Sequence, residues 1–296
     1  MEFEKWQALG NDYVIVEAAA LPFPLTPNRI RAICAPHTGV FADGVLLLSD
    51  PEQPGCLARL QVFNPDGSEA EISGNGAREA VLYLRHRGWA DSDEFSLQTA
   101  AGVLHPRITS PTTASMDLGR ARLASPDYPD GGPDGAGELT AAGRRWRFQH
   151  VNVGNPQCSI AVADQPELES LRLEQLGPEI EHHPLFPNRI NVSWFSALEP
   201  DRIRARIFER GVGETSASGT GAAGAAVAHV LAQRARARES GLDPSPPAAG
   251  VTVVLDGGEL EVEVGEDLSV ALSGWARPVF RGRLSGEFLE ELNATQ

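Results

Sequence analysis

Two short strings of small residues offer chemistry: Ser73-Gly74-Asn75-Gly76-Ala77 and Ser218-Gly219-Thr220-Gly221-Ala222. Each sets a hydroxyl and glycines at the start of a helix-forming run. A helix N-terminus leaves backbone N–H groups without intrahelical partners and carries partial positive charge. Glycine lets a ligand come close to that backbone, so each string suits an anion. Two such openings facing one another would hold one carboxylate between them and stabilise negative charge growing on it. A single string of this kind reads as an ordinary N-cap, with Ser73 or Ser218 closing its helix; a symmetric pair favours the anion.

The pair belongs to a larger repeat. FNPDGSEAEISGNGAREAVL, from Phe63, aligns without a gap on FERGVGETSASGTGAAGAAV, from Phe208, at a shift of 145 residues. Gly10-Asn11 and Gly154-Asn155 echo it at a shift of 144, close to half of the 296-residue chain. Self-similarity at one spacing marks a duplicated architecture, and two homologous domains facing each other are expected. Asn64, Asp66, Glu69 and Glu71 precede the first string; Glu209, Arg210 and Glu214 precede the second. Arginine offers a bidentate fork for a carboxylate, and beside a glutamate it could grip both ends of an amino acid. A surface ion pair is the plainer alternative for these charges.

The elements that must position these residues read as alternating strands and helices. EKWQALGNDYVIVEA has two apolar runs around a Gly10-Asn11 turn, and CLARLQVFNPDG is a strand entering a turn. AREAVLYLRHRG has helical spacing with Gly88 as its stop, and AAGAAVAHVLAQRARARES is an Ala-rich helix packed closely on a sheet. VTVVLDGGELEVEVGEDLSVAL predicts a hairpin turning at Asp256-Gly257-Gly258, then another strand. Residues 124–138 and 239–250, dense in Pro, Gly and Asp, are expected to be loops.

Composition excludes several classes. Forty acidic against 25 basic residues give a net charge of -15, which argues against nucleic acid and anionic membranes. No apolar run reaches the roughly 20 residues that span a bilayer, and no secretory signal is visible at the start, so a soluble cytoplasmic protein is expected. Lys5 is the sole lysine; there is no P-loop lysine and no well-placed Schiff-base lysine for pyridoxal phosphate. Cys34, Cys56 and Cys158 form no CxxC pair, and the seven histidines form no HExxH. No metal and no organic cofactor are expected. His182-His183 reads as solvated surface and Cys158 as a small buried apolar residue.

The chain resembles the cofactor-independent diaminopimelate epimerases and, more broadly, the proline-racemase-like fold. The resemblance lies in LGNDYVIVE (9–17), the ADG of 42–44, FNPDGSEAEISGNGAR (63–78), GNP (154–156), RINV (189–192) and ERGVGETSASGTGA (209–222). It implies an α/β fold of two pseudo-symmetric, duplicated α/β domains with the active-site cleft between them, usually as a homodimer. The domains are expected at 1–115, completed by 277–296, and at 116–276. The family's chemistry removes the α-proton of an amino acid with one cysteine and returns a proton to the opposite face with another. Those cysteines fall on Ser73 and Ser218.

The resemblance further implies that Gly74, Asn75, Gly219 and Thr220, at the helix openings, bind the α-carboxylate. Asn64, Asn155, Asn191 and Arg210 fall on groups holding the distal end of the substrate, Asn11 on an asparagine lining the site, and Glu209 on the acid beside the reacting centre. Gln157 replaces a family histidine, and Phe41 stands where the family has a small residue. A thiol's reference pKa is about 8.5, whereas a serine hydroxyl ionises far less readily. An unassisted two-serine enzyme is therefore expected to be slow, with Glu209, Asp66 and Glu71 as candidate assisting bases. Four readings follow, in this order: a diaminopimelate or close amino-acid epimerase, natural but altered or deliberately disabled; an isomerase or dehydratase of the same fold using a carboxylate base; an amino-acid-binding protein that has lost catalysis; a plain structural homodimer.

Overall fold

Leu9 and Gly10 both adopt positive φ, 53° and 84°, and this reversal folds the N-terminal segment into the antiparallel pair β1 (Glu2–Ala8) and β2 (Asn11–Glu17). Left-handed φ at both central positions is what a two-residue hairpin of right-twisted strands requires. The turn therefore lies one residue earlier than Gly10-Asn11, and Asn11 opens a strand. The chain is seen in a computed structural model that describes residues 1–241 and 249–295.

After β2 come α1 (Pro27–Cys34), β3 (Val45–Ser49), β4 (Ala58–Phe63), β5 (Glu69–Ala70), α2 (Gly74–His86), β6 (Leu97–Thr99) and β7 (Gly102–Leu104). A hairpin of β8 (Pro106–Ser110) and β9 (Thr113–Arg120) follows, then β10 (Ala136–Ala141), β11 (Arg144–Asn152) and β12 (Pro156–Ala161). The chain continues through α3 (Gln165–Ser170), α4 (Leu173–Glu181), β13 (Asn191–Glu199), β14 (Arg202–Glu209), β15 (Gly213–Thr215) and α5 (Gly219–Glu239). Last are β16 (Ala249–Leu255), β17 (Gly258–Val264), β18 (Ser269–Trp275), β19 (Arg277–Arg283) and α6 (Gly286–Ala294). Two compact units result: Met1–Met116 with Gly274–Gln296, and Asp117–Ser273.

The two units repeat one topology. In the first, the sheet runs β19-β1-β2-β3-β4-β6-β7 with β5 on β4; in the second it runs β10-β11-β12-β13-β14-β16-β17-β18 with β15 on β14. From β1 to β7 and from β11 to β17 the sense of each neighbouring pair is the same: antiparallel, parallel, antiparallel, parallel, antiparallel. Even the side pairs match, Phe63 opposite Glu69 and Phe208 opposite Glu214. Parallel neighbours need a crossover, and α2 and α5 are the equivalent crossover helices.

Helix packing explains the glycines. A side chain at Gly221 would place its Cβ 2.7 Å from Ile207 Cδ1, and one at Gly76 would come within 3.0 Å of Leu46 Cδ2, whereas Gly74 faces open space. The third residue after each serine's string begins is thus small so that the helix can lie on its strands. From Gly221 to Val230 every residue of α5 is buried, and the helix packs against β11 to β14, β16 and β17. On the other side of that sheet, α3 and α4 close a core around Trp194, Ile160 and Phe208.

Several boundaries differ from the sequence reading. α2 begins at Gly74 rather than after the glycines, and Gly88 lies just beyond its end at φ 74°. β10 takes up the end of the 124–138 loop. The second hairpin turns on Asp256-Gly257, because Gly258 already pairs with Leu255. Residues 242–248, most of the expected 239–250 loop, lie outside the described residues.

Within the first unit, Arg78 and Glu79 are fully buried on α2. Burial lowers the Arg78 guanidinium to about 10, partly opposed by Glu79. Burial also pushes the Glu79 carboxyl well up, with Arg78 pulling it only part of the way back. Neither Glu79 oxygen makes a hydrogen bond of good geometry.

Two stability outcomes are expected. Gly221→Ala overpacks the helix against Ile207 and costs about 1–3 kcal/mol, whereas Gly74→Ala leaves the melting temperature essentially unchanged; thermal unfolding distinguishes them. For Glu79 the folded pKa lies above the unfolded value of about 4.3. Between the two the unfolded chain holds fewer protons, so stability falls as pH rises. Glu79→Gln removes that loss: its melting temperature relative to native should rise by about 2–4 °C on going from pH 4.5 to pH 8. A difference that does not change with pH would contradict the neutral buried carboxyl.

Candidate active site

β4 and β5 deliver the chain to Ser73, whose extended backbone (φ -126°, ψ 124°) makes it the N-cap of α2, with its Oγ accepting from the Gly76 amide at 3.1 Å. Tyr13, on β2, donates its hydroxyl to the same Oγ at 3.1 Å. Next to them runs a chain of side-chain amides. Arg78 donates to Asn75 Oδ1, Asn75 Nδ2 donates to Asn11 Oδ1 at 3.4 Å, and Asn11 Nδ2 donates to Asp43 Oδ2 at 2.7 Å. Arginine has only donors and an ionised carboxylate only acceptors, so the two ends set the orientation of both amides between them.

Asp43 and Asp12 exchange backbone-to-carboxylate bonds at 3.0 and 3.1 Å. Lys5 Nζ lies 2.9 Å from Asp12 Oδ2 and donates to the Phe41 carbonyl. Phe41 itself has φ 59° and is 56% exposed, with Lys5 over its ring. A bulky residue in the left-handed region costs about 1 kcal/mol or more, and burial does not offset that here.

In the second unit Ser218 caps α5, its Oγ accepting from the Gly221 amide at 3.3 Å. Gln157, on β12, donates to Asn155 Oδ1 at 2.7 Å and to Thr220 Oγ1 at 3.3 Å. Asn191, at the start of β13, donates to the Pro156 carbonyl at 2.9 Å and accepts from the Arg210 amide at 2.9 Å. The Arg210 guanidinium donates to the Asn188 carbonyl. Glu181 fixes the turn after Arg210 by accepting from the Gly211 amide and pairing with Arg189. Thr215 donates to Glu209 Oε1 at 3.3 Å. The Asn155 loop is held from behind: Gly154 N–H donates to Asn152 Oδ1, and Asn152 donates to Asp127, which also accepts from Ser125. Ser125 in turn contacts His150, whose pKa burial lowers.

The structure thus joins Asn75 and Asn11 in one chain of amides, with the Ser73–Tyr13 pair beside it, links Asn155 to Thr220 through Gln157, and ties Asn191 to the Arg210 backbone. Gly74 and Gly219 are the first residues of their helices. Asn64 is engaged elsewhere, its amide donating to Ser68 within the turn after β4. Of the assisting bases, Asp66 is held below the usual carboxylate range by hydrogen bonds from Ser68, and Glu71 is exposed. Cys158 is buried in the core, where burial pushes its thiol well up. Tyr13 and Arg78 escaped the sequence reading. For Tyr13 a signal existed: on a strand, residues two apart share a face, so a strand that presents Asn11 also presents Tyr13. Among the described residues no cluster of three or more His, Cys, Asp or Glu could hold a metal, and no helix is long and apolar enough to cross a membrane.

Comparison with known proteins bears on the family and the fold. The family profile described as diaminopimelate epimerase matches residues 3–124 and 149–276. A diaminopimelate epimerase of Desulforudis audaxviator is 40% identical over 291 residues, covering 96% of this chain and 99% of its own. One of a Synechococcus strain is 39% identical over 290 residues, covering 95% and 97%. Among solved structures, a Bacillus anthracis phenazine biosynthesis protein of the PhzF family superposes with a TM-score of 0.66 at 17% identity, covering 96% of this chain and 99% of that one. A probable proline racemase from Agrobacterium radiobacter gives 0.63 at 14% identity, covering 96% and 93%. The second pair speaks for the fold and the first for descent: this duplicated α/β chain, with a serine capping each crossover helix, belongs to the diaminopimelate epimerase family of cofactor-independent isomerases.

Proposed function

We propose that the protein interconverts L,L- and meso-diaminopimelate in the cytoplasm by removing and returning the proton at Cα, with Ser73 and Ser218 in place of two cysteines. The observation that carries this is the matched pair of N-caps. Each serine satisfies one first-turn amide, Gly76 or Gly221, and each helix opening adds the partial positive charge that favours a carboxylate. Asn64, Asn155, Asn191 and Arg210 supply polar groups for the distal amino-acid end, Asn11 lines the site, and Asn75 stands with Gly74, Gly219 and Thr220 at the helix openings that take the α-carboxylate. As negative charge grows on the substrate when Cα loses its proton, the helix openings stabilise it, which is where electrostatic catalysis acts. Glu209, buttressed by Thr215, is the carboxylate assigned to the reacting centre.

An alcohol is a poor base, and general-base catalysis contributes roughly 10²–10⁴-fold only where the base's pKa approaches the working pH. Solvent deuterium is therefore expected to enter Cα of L,L-diaminopimelate slowly in the native chain, and about 10²–10⁴-fold faster in Ser73→Cys/Ser218→Cys. Mass spectrometry over a panel of amino acids reads this. Calorimetry should show L,L-diaminopimelate binding at millimolar affinity or better; binding of a different amino acid instead would remove the substrate assignment. Binding without exchange in either form would leave an amino-acid-binding protein.

We also propose a homodimer through the free edge of β19. That strand ends its sheet and exposes Val279 at 53% and Phe280 at 44%. Unpaired edges that carry apolar side chains are rarely left to solvent. Light scattering should give twice the mass of one chain, and Phe280→Glu should shift it toward the monomer.

A further inference from the structure

The two halves differ at one decisive position behind the capping serine. Tyr13 and Gln157 are equivalent: both sit two residues after the Gly-Asn repeat, on β2 and on β12, which hold the same place in their sheets. In the second unit the side chain at this place is a carboxamide, and it donates to Thr220 Oγ1 and Asn155. In the first it is a phenol, and it donates to Ser73 Oγ itself at 3.1 Å. Its ring is seated against Gly44, where an added Cβ would lie 2.7 Å from Tyr13 Cε1.

Ser73 Oγ accepts from both Gly76 N–H and Tyr13 O–H. A hydroxyl oxygen has two lone pairs, so both are engaged and the hydrogen of Ser73 must be directed away from them. The hydroxyl is thereby set as a donor with an acid behind it. A phenol, with a reference pKa of about 10, is a far stronger acid than an aliphatic alcohol, so a proton passes downhill from Tyr13 to an alkoxide forming at Ser73.

We propose that Tyr13 is the proton source that acts through Ser73, making the first unit the hydroxyl-relay arm of the reaction; this rests on the epimerase reading above. In the donating direction, the electron pair at Cα takes the Ser73 hydrogen: the Ser73 O–H bond breaks and the Cα–H bond forms. The Tyr13 O–H proton moves to Ser73 Oγ, and a phenolate remains. In the reverse direction the phenolate recovers the Ser73 proton as Ser73 Oγ takes the one from Cα, so a free serine alkoxide is never required. Ser218 has a carboxamide, Gln157, at the equivalent place, and its Oγ accepts from the Gly221 amide.

The test is Cα deuterium exchange with L,L-diaminopimelate in four proteins: native, Tyr13→Phe, Ser73→Cys and Ser73→Cys/Tyr13→Phe. Tyr13→Phe should slow exchange about 10²-fold while leaving the calorimetric Kd within a factor of about three. In the Ser73→Cys background the same change should alter the rate by no more than a factor of about three, since a thiol needs no phenol behind it. Exchange by Tyr13→Phe at the native rate, or an equal loss in both backgrounds, overturns the relay while the epimerase reading stands. If native and Ser73→Cys/Ser218→Cys are both inert toward the whole amino-acid panel, that reading falls and the relay with it.

Discussion

A helix that returns a chain between parallel strands must begin where the preceding strand ends, and its first amides then have no partner within the helix. Everything at the candidate site depends on that constraint. β4 and β14 each feed a short side strand and then a crossover helix, so Ser73 and Ser218 arrive at equivalent places with equivalent extended backbones. A serine oxygen can take one of the orphan amides, which leaves the helix capped but still electropositive. The glycine three residues after each serine serves a different end, the close approach of helix to strand at Leu46 and Ile207. Anion binding and packing thus draw on separate glycines of one short string.

The repeat was legible because duplication leaves a constant offset, and alignment of Phe63 on Phe208 carries β4, β5 and α2 onto β14, β15 and α5 together. Turn positions were less so. Leucine in the left-handed region is rare, so residue type points to Gly10-Asn11 although Leu9 and Gly10 make the reversal; Leu9 is fully buried, and that burial offsets its backbone strain. The capping serines could be read from residue type alone, since hydroxyl side chains favour N-caps. Their partners could not. Tyr13 is sixty residues from Ser73, and whether a phenol on one strand meets the cap of a helix beyond three others is settled by sheet order rather than by local pattern.

Charge inside α2 was the least legible feature. Arginine and glutamate side by side in a helix point in different directions and ordinarily lie at the surface. Here the helix is enclosed, and both side chains are fully buried. Arg78 finds an acceptor in Asn75 and so polarises the line of amides that ends on Asp43. Glu79, by contrast, is held toward its neutral form by burial. Both lie within α2, the helix whose opening is proposed to receive a carboxylate.

Replacing thiols by hydroxyls changes what the surroundings must supply. A thiolate is nucleophilic and basic near neutral pH by itself, and needs only a favourable potential. A hydroxyl must be coupled to a second group that can share its proton, and coupling of that kind shows itself as a hydrogen bond to the hydroxyl oxygen. Ser73 has one from Tyr13; the carboxamide of Gln157 in the equivalent place reaches Thr220 and Asn155 instead. Duplication made the two units alike in backbone, so the difference in a single side chain behind the cap is what the proposed relay turns on. A reaction that handles protons at opposite faces of one carbon has two proton-transfer steps to serve, and nothing in the shared fold obliges both to be served by the same residue type.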